Sequence, residues 1–181
     1  MKQLFLTAIL AVTIGGIAMA QSNKTLVAYF SCTGNTEKVA KALADVVTGD
    51  IYRIEPEKPY TNEDLNWHDS SSRSSIEMND RSSRPAIAGK VDGMAKYDTI
   101  FIGYPIWWGQ APRIISTFLE RDDFSGKTLI AFATSGSSGM GNSEDLLKAS
   151  CSKEAKWLPG RRFASGTSAA SLKQWVNGLG F

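Results

Sequence analysis

The sequence predicts an α/β domain in which a doubly wound parallel sheet is covered by helices on both faces. Two patterns predict it: short, mostly apolar runs of strand length, and amphipathic stretches of helical period that alternate with them. Strands apolar on both faces need helices above and below, and a parallel sheet supplies that arrangement. Composition agrees, since 43% of the 181 residues are hydrophobic and 21% charged, with 16 Gly and only 6 Pro. Such a chain is neither disordered nor collagen-like, and its length buries one good core.

The first residues belong to a separate argument. Lys2 precedes an uncharged stretch, Leu4 to Ile17, that ends in Ala18-Met19-Ala20. A positive start, a short apolar region and a small-x-small site are expected to make residues 1–20 a signal peptide, cut after Ala20, with an uncleaved anchor as the lesser alternative. The stretch carries Thr7, Thr13 and Gly15-Gly16 and falls short of the roughly 20 apolar residues that span a bilayer, so no stable membrane anchor is expected after cleavage. The mature protein is then exported, periplasmic or secreted, and its domain is expected over residues 24–181.

Leu26 to Phe30 reads as the first strand, and Val39, Leu43, Val46 and Val47 follow on one helix face. Asp50 to Glu55 reads as the second strand, Thr99 to Ile102 as the third, and Thr128 to Ala133 as the fourth. Between them, Pro112 suits the first position of a helix through Leu119, and Ser143 suits the N-cap of a helix through Leu147. Pro159 and Gly160 interrupt the fifth strand, whose core is placed at Arg162-Phe163. Leu172, Trp175, Val176 and Leu179 share the face of a last helix that Gly180 stops. Residues 61–84 are polar and Ser-rich; a surface loop is expected there, with a short helix over 76–81.

Charge narrows the partners. Lys and Arg number 20 against 18 Asp and Glu, with no basic run longer than Arg161-Arg162, which argues against nucleic acid. One His and two Cys, Cys32 and Cys151, leave no convincing metal site; the cysteines are read as two free thiols, with one bridge between them as the alternative.

In an open parallel sheet, ligands bind beyond the carboxyl ends of the strands. The first such loop is Ser31-Cys32-Thr33-Gly34-Asn35-Thr36, with three hydroxyls before a helix start. Backbone amides and the positive helix end suit a phosphate, while Asn35 or Thr36 as a plain helix cap is the alternative. The loop after the third strand is Gly-Tyr-Pro-Ile-Trp-Trp-Gly-Gln-Ala-Pro, residues 103–112. Trp107 and Trp108 cannot both face the same way, so at least one is expected to face outward or toward a flat aromatic ligand. The third loop, Thr134 to Asn142, holds three Gly and three Ser and brings backbone amides to a ligand edge.

A phosphate nest, an aromatic stack and a polar backbone rim on one sheet edge describe a mononucleotide with a large flat ring. At these residues the chain resembles the flavodoxin family, from about Lys24 to the C-terminus. The resemblance implies five strands in order 2-1-3-4-5 and non-covalently bound FMN. It implies that Ser31, Thr33, Gly34, Asn35 and Thr36 hold the phosphate, that Pro105, Trp107, Trp108 and Gly109 line the isoalloxazine with Trp107 stacking, and that Ser135, Gly136, Ser138 and Gly139 edge its pyrimidine side. Electron transfer follows, to a redox partner protein or a small-molecule acceptor. The alternatives are an NAD(P)H-dependent FMN/quinone-type reductase, roofed by residues 61–84, and a scaffold that has lost its flavin. Flavodoxins are typically acidic and cytoplasmic, and this near-neutral chain with its export signal departs from that.

The three loops carry no Lys or Arg, from which a poorly stabilised reduced flavin and a low potential are expected. A hydrolase using Cys32 or a Ser would depend on His68, the only His, and lacks a Gly-x-Ser-x-Gly elbow.

Overall fold

The computed structural model describes residues 24–180, so the expected signal segment lies outside the described residues. Strand β1 (Lys24–Tyr29) leads into helix α1 (Asn35–Val47), and β2 (Asp50–Arg53) returns beside β1. Two residues later β3 (Glu55–Pro56) starts a long excursion through α2 (Arg73–Asn79) to β4 (Ile87–Ala88). A 3-10 turn, Met94–Lys96, precedes β5 (Tyr97–Pro105), followed by α3 (Arg113–Arg121), β6 (Thr128–Thr134), α4 (Ser143–Ala149), β7 (Lys156–Phe163) and α5 (Ala169–Asn177).

The main sheet runs β2-β1-β5-β6-β7, all neighbours parallel. Counting its five strands in chain order gives 2-1-3-4-5, the flavodoxin-like order. Alternation along each strand splits the core into two layers. Leu26, Ala28, Phe30, Ile100, Ile102, Leu129 and Ala131 pack with Ile114, Ile115 and Phe118 of α3 and Leu147 of α4. On the opposite face, Val27, Tyr29, Phe101, Ile130 and Phe132 pack with Val39 and Leu43 of α1 and with Leu172 and Trp175 of α5. The direction in which strands are added reverses between β1 and β5, and because all five strands are parallel the loops after β1, β5 and β6 share one edge.

Several elements differ from the sequence reading in detail. The second strand splits: the Ile54 amide still donates to the Tyr29 carbonyl (2.7 Å), after which Glu55 and Pro56 leave the sheet to pair antiparallel with Ala88 and Ile87. That two-residue ribbon clasps both ends of the excursion. The fifth strand runs straight through Pro159-Gly160, because Ile130 pairs with Leu158 while Phe132 pairs with Arg161. Two residues thus oppose Ala131 in a β-bulge, where an edge strand tolerates a missing N–H. A Cβ on Gly160 would stand 2.5 Å from the Ala131 carbonyl oxygen, so the bulge requires glycine.

Pro112 is the N-cap of α3, not its first residue. In α4 the N-cap is Asn142, and Ser143 stands inside the helix because its buried hydroxyl donates to Met140 O (2.6 Å) and accepts from Tyr104 (3.0 Å). Helix α5 is capped by Ser168, whose hydroxyl accepts the Ser171 amide, and it ends at Gly178 ahead of Gly180. The short helix of the polar segment occupies 73–79, with its start fixed by the Ser72 hydroxyl accepting from the Ser75 amide.

Candidate functional site

At the end of β1 the chain enters α1 through Gly34, whose φ of 80° a side-chain-bearing residue adopts at a cost. No side chain caps α1, so neither Asn35 nor Thr36 serves as a plain helix cap. The first-turn amides of a helix left uncapped form a natural seat for an anion. Thr33 and Asn35 are exposed beside it and bonded to each other (3.3 Å). Ser31 is buried, and its hydroxyl accepts the Gly34 amide at 3.1 Å, holding the turn. Thr36 is buried, and its hydroxyl bonds Thr134 at 2.7 Å, which ties the loop to the end of β6.

After β5 the chain folds into a two-residue hairpin. Trp107 and Gln110 exchange both backbone hydrogen bonds at 2.9 Å, and Trp108 and Gly109 between them have φ of 47° and 73°. This is the type I′ geometry, which needs positive φ at both central residues. The turn sends the two indoles apart. Trp107 packs edge-on against Phe30 and Tyr60 (ring centres 5.7 and 5.5 Å), while Trp108 stays 46% exposed. Gly109 lies outside the two cavities at this edge; a Cβ on Gly141 would approach its carbonyl oxygen to 2.4 Å. The hairpin therefore rests on the end of the third loop.

Two adjoining cavities open at this edge. The smaller, about 230 Å³, is lined by Thr33, Asn35, Pro105, Trp107, Thr134 and Ser165, among others. The larger, about 690 Å³, falls in the range that buries a ligand of cofactor or drug size. It is lined by Trp107, Trp108 and Ser135 to Ser138 of the loops after β5 and β6 and by Leu65, Trp67 and Ser74 of the polar segment. Ile106, Trp107, Ser135 and Gly136 belong to both. Anion-binding amides at one end, an indole-walled space at the other, and no carboxylate among the lining residues fit a flavin mononucleotide. Of the residues read from sequence, Gly139 lies outside both cavities, and Ser138 lines the larger one.

Three side-chain groups were invisible in the loops themselves. First, Arg162 of β7 reaches over the third loop, donating to Ser135 Oγ (3.0 Å), Ser135 O (2.8 Å) and Gly136 O (2.6 Å). The expectation that no cation lies near this loop is thereby overturned, because β7 registers Arg162 beside Ala133 and so next to the loop.

Second, the polar segment is an ordered roof rather than a plain surface loop. Ser72, Ser74, Ser75 and Glu77 are buried. Glu77 accepts from the Tyr60 hydroxyl (2.5 Å) and from Arg73 Nε (2.7 Å), and the Arg73 guanidinium lies 3.9 Å above the Tyr60 ring. Burial, then the Glu77 carboxylate, pushes the Tyr60 hydroxyl well above its ordinary pKa. Third, Arg113 is buried without a carboxylate partner among the described residues, donating to Met78 O (2.7 Å), Asp80 O (3.2 Å) and Gln110 Oε1 (3.1 Å). It bolts the roof to the Trp hairpin; burial, with Arg81 and Arg84 close by, lowers its pKa.

Neither cysteine is poised as a nucleophile. Burial pushes the Cys32 thiol up to about 12 and Cys151 to about 11, so both free thiols stay protonated at neutral pH. His68 is exposed and lies against Trp67, ring centres 3.5 Å apart.

Comparison with known proteins bears on this site. The sequence profile described as "Flavodoxin" matches residues 24–179. A "putative flavoprotein" from Bacteroides uniformis is 53% identical, with 86% of this chain and 98% of that one covered and a TM-score of 0.81. Another from Bacteroides eggerthii is 47% identical, with 87% and 98% covered and a TM-score of 0.83. A flavoprotein from Lactobacillus acidophilus, solved in complex with FMN, is 19% identical over 86% of this chain and 99% of that one, with a TM-score of 0.63, a likeness of fold. No curated protein matches.

Proposed function

Since the chain belongs to the flavodoxin family, we propose that it binds FMN and acts in electron transfer. The observation that carries the reading is the pair of joined cavities, one ending at the uncapped start of α1 and the other walled by Trp107 and Trp108. Thr33, Asn35 and the backbone around Gly34 would hold the phosphate, with Ser31 shaping the turn. Pro105, Trp107 and Trp108 would flank the ring, and Ser135, Gly136 and Ser138 would edge it. Bound FMN supplies the electron chemistry, while the protein sets its potential and which edge stays open.

On this reading the signal peptide expected over residues 1–20 would carry the protein out of the cytoplasm, to a redox partner protein or a small-molecule acceptor. The roof favours a second reading. Leu65, Trp67 and Ser74 line the same uncharged cavity as the two indoles, as an NAD(P)H-dependent reductase with a bound small substrate would require.

A titration of the purified protein with FMN, with riboflavin as the phosphate-free control, tests the proposal. Quenching of flavin fluorescence by FMN with much weaker riboflavin binding is the expected result. No binding of either would end the redox reading. Steady oxidation of NADH or NADPH by the loaded protein would favour the reductase.

A further inference from the structure

Arg162 stands on the edge strand β7, yet its guanidinium makes three hydrogen bonds to two residues of the loop after β6. Two go to backbone carbonyls, of Ser135 and Gly136. A trans peptide points its C=O and its N–H to opposite sides. Holding these two carbonyls on the Arg162 side therefore turns the Gly136 and Ser137 amides the other way. Neither amide donates to a protein acceptor among the described residues. Both residues line the larger cavity. No carboxylate forms an ion pair with Arg162 among the described residues, so its charge is not neutralised locally.

We propose that Arg162 is a positioning residue that aims the Gly136 and Ser137 amides at a bound flavin and favours its reduced anion over its oxidised form. The role rests on the FMN reading above. Two electrons and one proton convert the neutral oxidised ring into the anionic reduced one, whose added charge sits on the carbonyl-bearing pyrimidine side. Amide donors meet acceptors there in both states, and the bonds strengthen when the acceptor is charged. A guanidinium bonded to the carbonyls of this chain of peptides polarises them and makes the amides better donors. An unneutralised cation close to the site also lowers the energy of an anion more than that of a neutral ring. All three effects oppose the low potential that a cation-free set of loops implied.

The test uses the purified protein and its R162Q and R162K variants. Dissociation constants for oxidised FMN come from fluorescence quenching, and the two-electron potential from dithionite titration against a reference dye. In R162Q the affinity for reduced FMN is expected to fall at least tenfold more than that for oxidised FMN. A tenfold differential lowers the potential by about 30 mV. R162K, which keeps the charge without the fork, falls between the two. Thermal melts check folding, and R162K carries the test if R162Q does not fold. An unchanged potential in the folded variants overturns the role, even where both affinities drop together. Failure of the unaltered protein to quench FMN at all would instead overturn the cofactor reading, and this role with it. In the flavin-free protein, backbone NMR gives an independent arm: Gly136 and Ser137 ordered equally with and without Arg162 would refute the grip itself.

Discussion

The two ends of the cavity pair are built in opposite ways. At the β1–α1 end the working groups are backbone: an uncapped helix start, a turn set by Gly34, and a Ser31 hydroxyl bonded within three residues of itself. At the Trp end the working surface is held by side chains from far along the chain. Arg113 joins Met78 and Asp80 to Gln110, Glu77 joins Tyr60 to Arg73, and Arg84 forks onto Glu120 (both bonds 2.7 Å). A backbone nest suits a group that never changes, such as a phosphate. A side-chain scaffold can be altered residue by residue, which suits an end that would select what approaches the proposed flavin.

If the nest is truly a backbone device, Cys32 within it is a spectator. Burial raises its pKa from the ordinary thiol range to about 12, so folding favours the thiol form, and that contribution is lost as pH rises through the folded value. At pH 8 the thiolate population falls about a thousandfold against an unshifted thiol. Alkylation by iodoacetamide should be slower by that factor in the folded protein than in urea, and should climb about tenfold per pH unit toward pH 11. Equal rates in both states would show an accessible, reactive thiol and undo the contrast.

The Trp end should respond to Arg113→Ala. The change strands carbonyls of Met78 and Asp80 that the guanidinium now satisfies, at about 2–3 kcal/mol. Urea unfolding measures the loss, and limited proteolysis should cut within residues 57–86, while the preference for FMN over riboflavin survives. Loss of that preference would mean the two ends are not independent.

Thr36 and Thr134 probe the seam between them. Thr134→Val leaves the buried Thr36 hydroxyl without its 2.7 Å partner, a loss of about 1–2 kcal/mol. Adding Thr36→Val should recover most of it, because two matched apolar groups leave no orphan. Additive losses in the double variant would place the cost in packing instead.

The turn from β1 into α1 was legible because its residues are local: hydroxyls, Gly34 and a helix start follow one another directly after a strand. The sheet was readable for the same reason, since strands buried on both faces announce themselves by continuous apolar runs. What escaped was non-local. Nothing around Arg113 signals that α2 will lie against it, and the serines of 70–75 look solvated until Ser72, Ser74 and Ser75 are found buried. Arg162 was within reach. A strand carried through Pro159-Gly160 with one bulge sets Phe163 opposite Thr134 and Arg162 beside the third loop; treating the Pro-Gly pair as an interruption hid that register.

The smallest expected effect concerns the hairpin that carries the exposed indole. Trp108 holds a φ of 47° with its side chain nearly half exposed. A residue with a Cβ pays about 1–2 kcal/mol for that conformation, and little burial offsets it. Trp108→Gly removes the strain but loosens the unfolded chain, by about 0.5–1 kcal/mol. The net should be a flavin-free protein more stable by about 0.5–1 kcal/mol, read from thermal melts. FMN affinity should move the other way, because the indole leaves the cavity wall. A gain in stability with a loss in affinity would show that the strain is kept for the ligand. A loss in both would show that the ring is packed rather than presented, and the side-chain end of the cavity would then be fixed by burial like any core.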